Sequence, residues 1–101
     1  MKQVQLLYSN NVLLEDSRNM RLDYSLTEKV SEADQLTPFY GVQVTKYLGD
    51  LMESEEAWGI SDSKDIVVSI LKKLHHYQVT PISMVEIVDE LVTQEQTSSF
   101  K

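Results

Sequence analysis

The spacing of hydrophobic residues changes once along the chain, near residue 60. Before that point the pattern has a period of two. Met20, Leu22, Tyr24 and Leu26 alternate with Arg21, Asp23, Ser25 and Thr27, which predicts a strand over residues 19–27 with one face buried and one wet. In FYGVQVTKYL, Tyr40, Val42 and Val44 alternate with Gly41, Gln43 and Thr45, predicting a second strand that its β-branched residues favour. Gly41 inside it predicts a bulge or a close approach by another backbone or ring. Gly49-Asp50 marks a turn, and LMESEEAWGI at 51–60 reads as a strand returning antiparallel, although Leu51, Met52, Ala57, Trp58 and Ile60 alternate poorly. Ahead of these, QVQLLY and VLLE are short apolar pieces split by Ser9, Asn10 and Asn11. They fit either a hairpin turning at the asparagines or one interrupted strand. KVSEADQLTP, ending at Pro38, reads as a loop.

After Ile60 the period becomes helical. Ile66, Val67, Ile70, Leu71 and Leu74 recur at spacings of three and four and predict one apolar helix face over about 62–77. Ser61, Asp62 and Ser63 are candidate caps, and Asp62 and Asp65 favour the positive end of the helix dipole. Thr80 and Pro81 start a second helix, because proline at the first helical position gives up an N–H that has no helical partner there. Val85, Val88, Leu91 and Val92, with Met84 and Ile87 beside them, form a broad face expected to be well covered. Strands followed by helices predict an α+β fold. The expected form is an antiparallel meander of three to five strands with two C-terminal helices, a helical hairpin packed on one sheet face. The domain is expected over 1–93, with a polar, frayed tail at 94–101.

Composition narrows the function. A chain of 101 residues is one domain, large enough for a modest core. It has no cysteine, which removes disulfides, thiolate metal sites and cysteine nucleophiles together. No apolar run has the length of a signal peptide or a membrane span, so a cytoplasmic bacterial protein is expected. The net charge of −7 disfavours phosphate backbones and anionic membranes as partners.

HHYQVTPISM at residues 75–84 admits three readings: a metal site, the turn of a DNA-binding helix pair, or a corner between packed helices. Adjacent histidines on a helix point about 100° apart, whereas a helical metal pair needs a spacing of four. As a recognition helix, residues 81–96 would bring Glu86, Asp89, Glu90 and Glu95 to the groove with no lysine or arginine, the wrong sign for DNA. The corner is the favoured reading. No cofactor or metal ligand set is identified.

Three segments carry a family resemblance: YGVQV, then WGIS ahead of a helix, then VTPISMVEIVDEL. In this order the chain resembles a family of short uncharacterised proteins of low-GC Gram-positive bacteria, a domain of unknown function. The resemblance runs over roughly residues 20–92. It implies a Tyr-Gly strand, a segment ending Ile-Ser, a helix, and a Val-Thr-Pro step into a helix ending in an acidic pair. Trp58 and the long stretch around Val30 to Thr37 depart from that pattern. No activity, cofactor or catalytic residue is implied. The recurrent positions Tyr40, Gly41, Ile60, Ser61, Val79 and Pro81 all suit strand, bulge, cap and corner.

The first functional expectation is a non-catalytic interaction or regulatory module. Its partner would be another protein or a second copy, met through a sheet edge or the open sheet face. Asp62, Asp65, Glu86, Asp89 and Glu90 are the candidate contact surface. The alternative is a ligand- or cation-binding domain or weak enzyme using the acidic stretch at 53–65. A helix-turn-helix-like nucleic-acid regulator ranks third, against the charge.

Overall fold

The structure, a computed structural model, describes residues 2–30 and 38–98, with side chains from residue 3 to residue 93. Four strands, β1 (Lys2–Leu13), β2 (Asn19–Val30), β3 (Pro38–Leu48) and β4 (Leu51–Ser61), precede α1 (Lys64–His76) and α2 (Pro81–Ser98). The strands form one antiparallel sheet in the order β1-β2-β3-β4. This is the α+β meander that the change of period predicts, with both helices on one face of the sheet.

The N-terminal pieces form one strand. Asn10 and Asn11 do not turn the chain; they pair with Leu22 and Arg21 of β2. The interruption is a bulge between Leu6 and Tyr8. An Asn-Asn pair reads as a turn only locally; here the Asn10 amide donates to the His75 carbonyl at the end of α1, 2.7 Å away, and that tertiary bond holds it in the strand. The predicted loop from Lys29 is shorter than expected, because Lys29 and Val30 continue β2 opposite Phe39 and Pro38. Its remainder, 31–37, lies outside the described residues, as do residues 99–101 of the expected 94–101 tail; residues 94–98 of that tail continue α2 as helix instead of fraying.

Pairing across the strands defines the two faces. Leu22, Tyr24 and Leu26 of β2 and Val42 and Val44 of β3 face the helices and are buried. Val67, Ile70, Leu71 and Leu74 of α1 and Met84, Val88 and Leu91 of α2 meet them. Each fully buried aliphatic side chain there contributes about 1.5–3 kcal/mol of transfer free energy. Two expected core positions face outward. Ile66 is exposed because α1 turns Val67 and Ile70 to the sheet, and Val85 is exposed because Met84 and Val88 take the inner positions of α2. Ile82, at 81% exposure, shows that the apolar surface of α2 is wider than its contact with the sheet, so the helix is less covered than its sequence predicts.

The corner is built from backbone bonds. The Val79 N–H donates to the Leu74 carbonyl at 3.1 Å and the Gln78 N–H to the His75 carbonyl at 3.2 Å, a Schellman closure. Gln78 occupies the left-handed position, φ 53°, where glycine is the commoner choice. Val79 and Leu74, the apolar pair that accompanies this closure, are both in the core. At the other end of α1, Ser63 is the N-cap, its hydroxyl accepting from the Ile66 N–H at 3.5 Å.

Candidate functional site

Three places could carry function: the aromatic cluster at the end of α1, the acidic segment of β4, and the face of the sheet that the helices leave open.

The cluster forms where α1 ends against β1 and β2. The His75 ring stacks on Tyr8 at 5.1 Å and meets the edge of Tyr24 at 5.8 Å. Its Nε2 lies 3.2 Å from the Ser9 carbonyl oxygen. The Tyr24 hydroxyl donates to the Val79 carbonyl at 3.0 Å. Burial pushes the Tyr24 phenol up, and a hydrogen bond with Asn10 partly offsets it. Every polar atom named here ties the corner to the sheet. His76 stands apart, its ring against Tyr77 at 5.0 Å. Among the described residues no group of three His, Asp or Glu side chains could hold a metal ion. The stretch therefore acts as a helix corner whose first histidine is a packing residue.

Strand alternation divides the acidic segment between the two faces of the sheet. Glu53 and Glu55 pair with Lys46 and Val44 and lie on the helix side, while Glu56 pairs with Gln43 on the other. Lys46 Nζ is 3.7 Å from the Glu53 carboxylate. Glu53, Ser54 and Glu55 line an open cleft of about 330 Å³ with Pro81 and Ile82. The first turn of α2 has no acidic residue of its own, so the β4 carboxylates complement the positive end of its dipole. Asp62, Asp65, Glu86, Asp89 and Glu90 are all exposed on the turn and the helices, without convergence on a shared ligand position. A smaller cleft of about 140 Å³ lies on the helix side of the sheet at its other end. Gln3, Gln5, Leu26, Glu28, Tyr40 and Lys64 line it. There burial, and then the neighbouring Glu28 carboxylate, push the Tyr40 phenol up. It is below the size of most small-molecule sites.

The open face is a different surface. Its centre is a row of small polar side chains: Asp23, Ser25 and Thr27 are only 9%, 8% and 3% exposed, although no helix covers them. On this face they lie opposite Ser9, Leu6 and Val4 of β1 and Thr45, Gln43 and Gly41 of β3. The Ser9 hydroxyl and the Arg21 guanidinium both donate to the Asp23 carboxylate, at 2.8 and 2.7 Å. Thr45 and Ser54 hydroxyls share a hydrogen bond at 3.2 Å, and the Gln43 amide reaches Ser54 at the same distance. Large side chains stand exposed at the two ends of this strip. Val4, Leu6, Phe39 and Trp58 lie at one end, with Lys29 Nζ 4.7 Å above the indole ring. Leu13, Tyr47 and Met52 lie at the other, where Arg21 sits 5.9 Å from the Tyr47 ring. Sequence reasoning passed over these residues because each was assigned to a strand and its outer face was taken to be wet. The available signal was large apolar side chains at outward positions of the strands.

Fold and surfaces together define a small two-layer α+β protein whose most distinctive exposed feature is an aromatic, hydroxyl-rich sheet face. Residues 3–94 match the model of a family of unknown function (DUF6514), and the chain belongs to that family. No curated protein and no solved structure matches it. Among the described residues no helix is long and apolar enough to cross a membrane.

Proposed function

We propose that the chain is a protein–protein interaction module that works without catalytic chemistry, and that the open sheet face is its contact surface. One observation carries this reading. Phe39, Trp58, Tyr47 and Met52, residue types enriched in interface cores, stand exposed on the face without helices. In the strip between them, Asp23 is held by Ser9 and Arg21, and Ser54 by Thr45 and Gln43, so these groups bring bonds of their own when the face is covered. On this face Arg21 and Lys29 stand with Asp23 and Glu56, so it carries both signs of charge. The partner is therefore a protein with an apolar patch that covers these aromatic ends. The helix surface carrying Asp62, Asp65, Glu86, Asp89 and Glu90 serves solubility in this reading.

The test compares two variants as baits in the native cell extract, each checked for folding by circular dichroism. Phe39→Ser with Trp58→Ser is expected to lose a partner that the wild-type chain retains. Glu86→Lys with Asp89→Lys and Glu90→Lys is expected to keep it. The reverse pattern moves the contact to the helices, and a wild-type bait that retains nothing overturns the module.

A further inference from the structure

The two edges of the sheet are protected unequally. β4 carries Glu53, Glu55 and Glu56, packs beside α2, and is irregular where its register shifts near Gly59, φ 54°. Charges, bulges and helix cover are the usual means of stopping an edge from pairing with another chain. β1 has no charged residue from Gln3 to Leu13. Its second half is nevertheless blunted. The bulge at Leu6–Tyr8 breaks the ladder, and His75 Nε2 lies against the Ser9 carbonyl. What stays open is Gln3-Val4-Gln5-Leu6, a flat and neutral segment.

We propose that this segment pairs antiparallel with the same segment of a second copy, joining two sheets into one of eight strands. Three observations select a second copy over another occupant. The chain has a net charge of −7, so two copies repel over most approaches, and β1 is the edge where they meet without opposing carboxylates. Residues opposite each other in an antiparallel pair share a face, so a two-fold axis through Gln5 sets Val4 of each copy against Leu6 of the other. Val4 and Leu6 are each 49% exposed in the single chain, and this pairing covers both in one symmetric contact. The inference uses the strand edge and the purified chain alone, so it stands or falls separately from capture of a foreign partner.

The experiment is light scattering on the purified full chain, followed by disulfide trapping, which the absence of native cysteine makes clean. A mass twice the chain's 11.6 kDa is expected, and 11.6 kDa at every concentration overturns the proposal. In the trapping arm, Gln5→Cys is expected to form a covalent dimer under mild oxidation, since opposed Cβ atoms of paired strands lie within disulfide reach. Ser54→Cys on β4 is expected to form no covalent dimer; efficient trapping there assigns the contact to β4 and overturns the proposal. Val4→Glu with Leu6→Glu places carboxylates on the neutral edge and is expected to return the mass to that of one chain with the circular dichroism unchanged. A dimer that survives this change overturns the proposal as well.

Discussion

The two faces of the sheet are made by the same strands and are buried by different means. Along β2, Leu22, Tyr24 and Leu26 point one way and Asp23, Ser25 and Thr27 the other, yet all six are buried. The first three are sealed by a second layer of secondary structure. The second three sit on an inner strand and are flanked sideways by Ser9, Leu6 and Val4 of β1 and Thr45, Gln43 and Gly41 of β3. Burial under a layer removes apolar area from water and is a main source of stability. Sideways shielding leaves a surface whose middle is dry and polar and whose ends are apolar, a surface another protein can cover. The comparison shows why low exposure alone does not identify a core.

The sharpest test removes the same atoms from each face. Leu22→Ala opens a cavity under the helices and is expected to cost about 2–5 kcal/mol. Leu13→Ala, 70% exposed on the open side, is expected to change stability by no more than about 0.5 kcal/mol. Urea unfolding of both proteins decides; equal losses would mean that the open face is a second core. A smaller effect is expected at Gly41. A Cβ there would lie 2.2 Å from the Ala57 carbonyl oxygen and 2.8 Å from Thr27 Oγ1. The first of these atoms is backbone and cannot swing away, so Gly41→Ala is expected to lose about 1–3 kcal/mol by overpacking. A melting temperature unchanged by that substitution would show that the β3–β4 bulge yields freely.

A smaller loss again is expected from the polar bond inside the helix-covered face. Tyr24→Phe leaves the Val79 carbonyl without its donor and is expected to cost about 1 kcal/mol near neutral pH. The same tyrosine predicts a pH dependence. Its phenol is held above the ordinary 10.0, so the unfolded chain releases that proton at lower pH than the folded one. Its contribution is complete below the ordinary value and is lost as pH rises through the folded one. Urea midpoints taken from neutral to strongly alkaline pH should fall more steeply for wild type than for Tyr24→Phe. Parallel curves would show that the phenol titrates alike in both states.

The sequence by itself determined the elements from β2 onward and their order. Alternation over 20–27 and 40–45, the Gly49-Asp50 turn and the Thr80-Pro81 start each depend on neighbours within a few residues, and local sterics and hydrogen bonds are enough to specify them. The corner reading of HHYQVTP belongs here too, because a helix end and a helix start meet within the stretch. The tertiary structure decided the rest. Asn10 is a strand residue because the end of α1 lies above it. Ile66 and Val85 are exposed because a helix has one inner face, and the sheet's shape selects which part of a wide apolar stripe fills it. The acidic segment lost its unity because a strand sends successive side chains to opposite sides. Exposure of Phe39, Trp58 and Met52 followed from which face the helices covered. That choice is long-range: both faces of the strands carry large apolar residues, and only the packing of the two helices makes one face the core and leaves the other open.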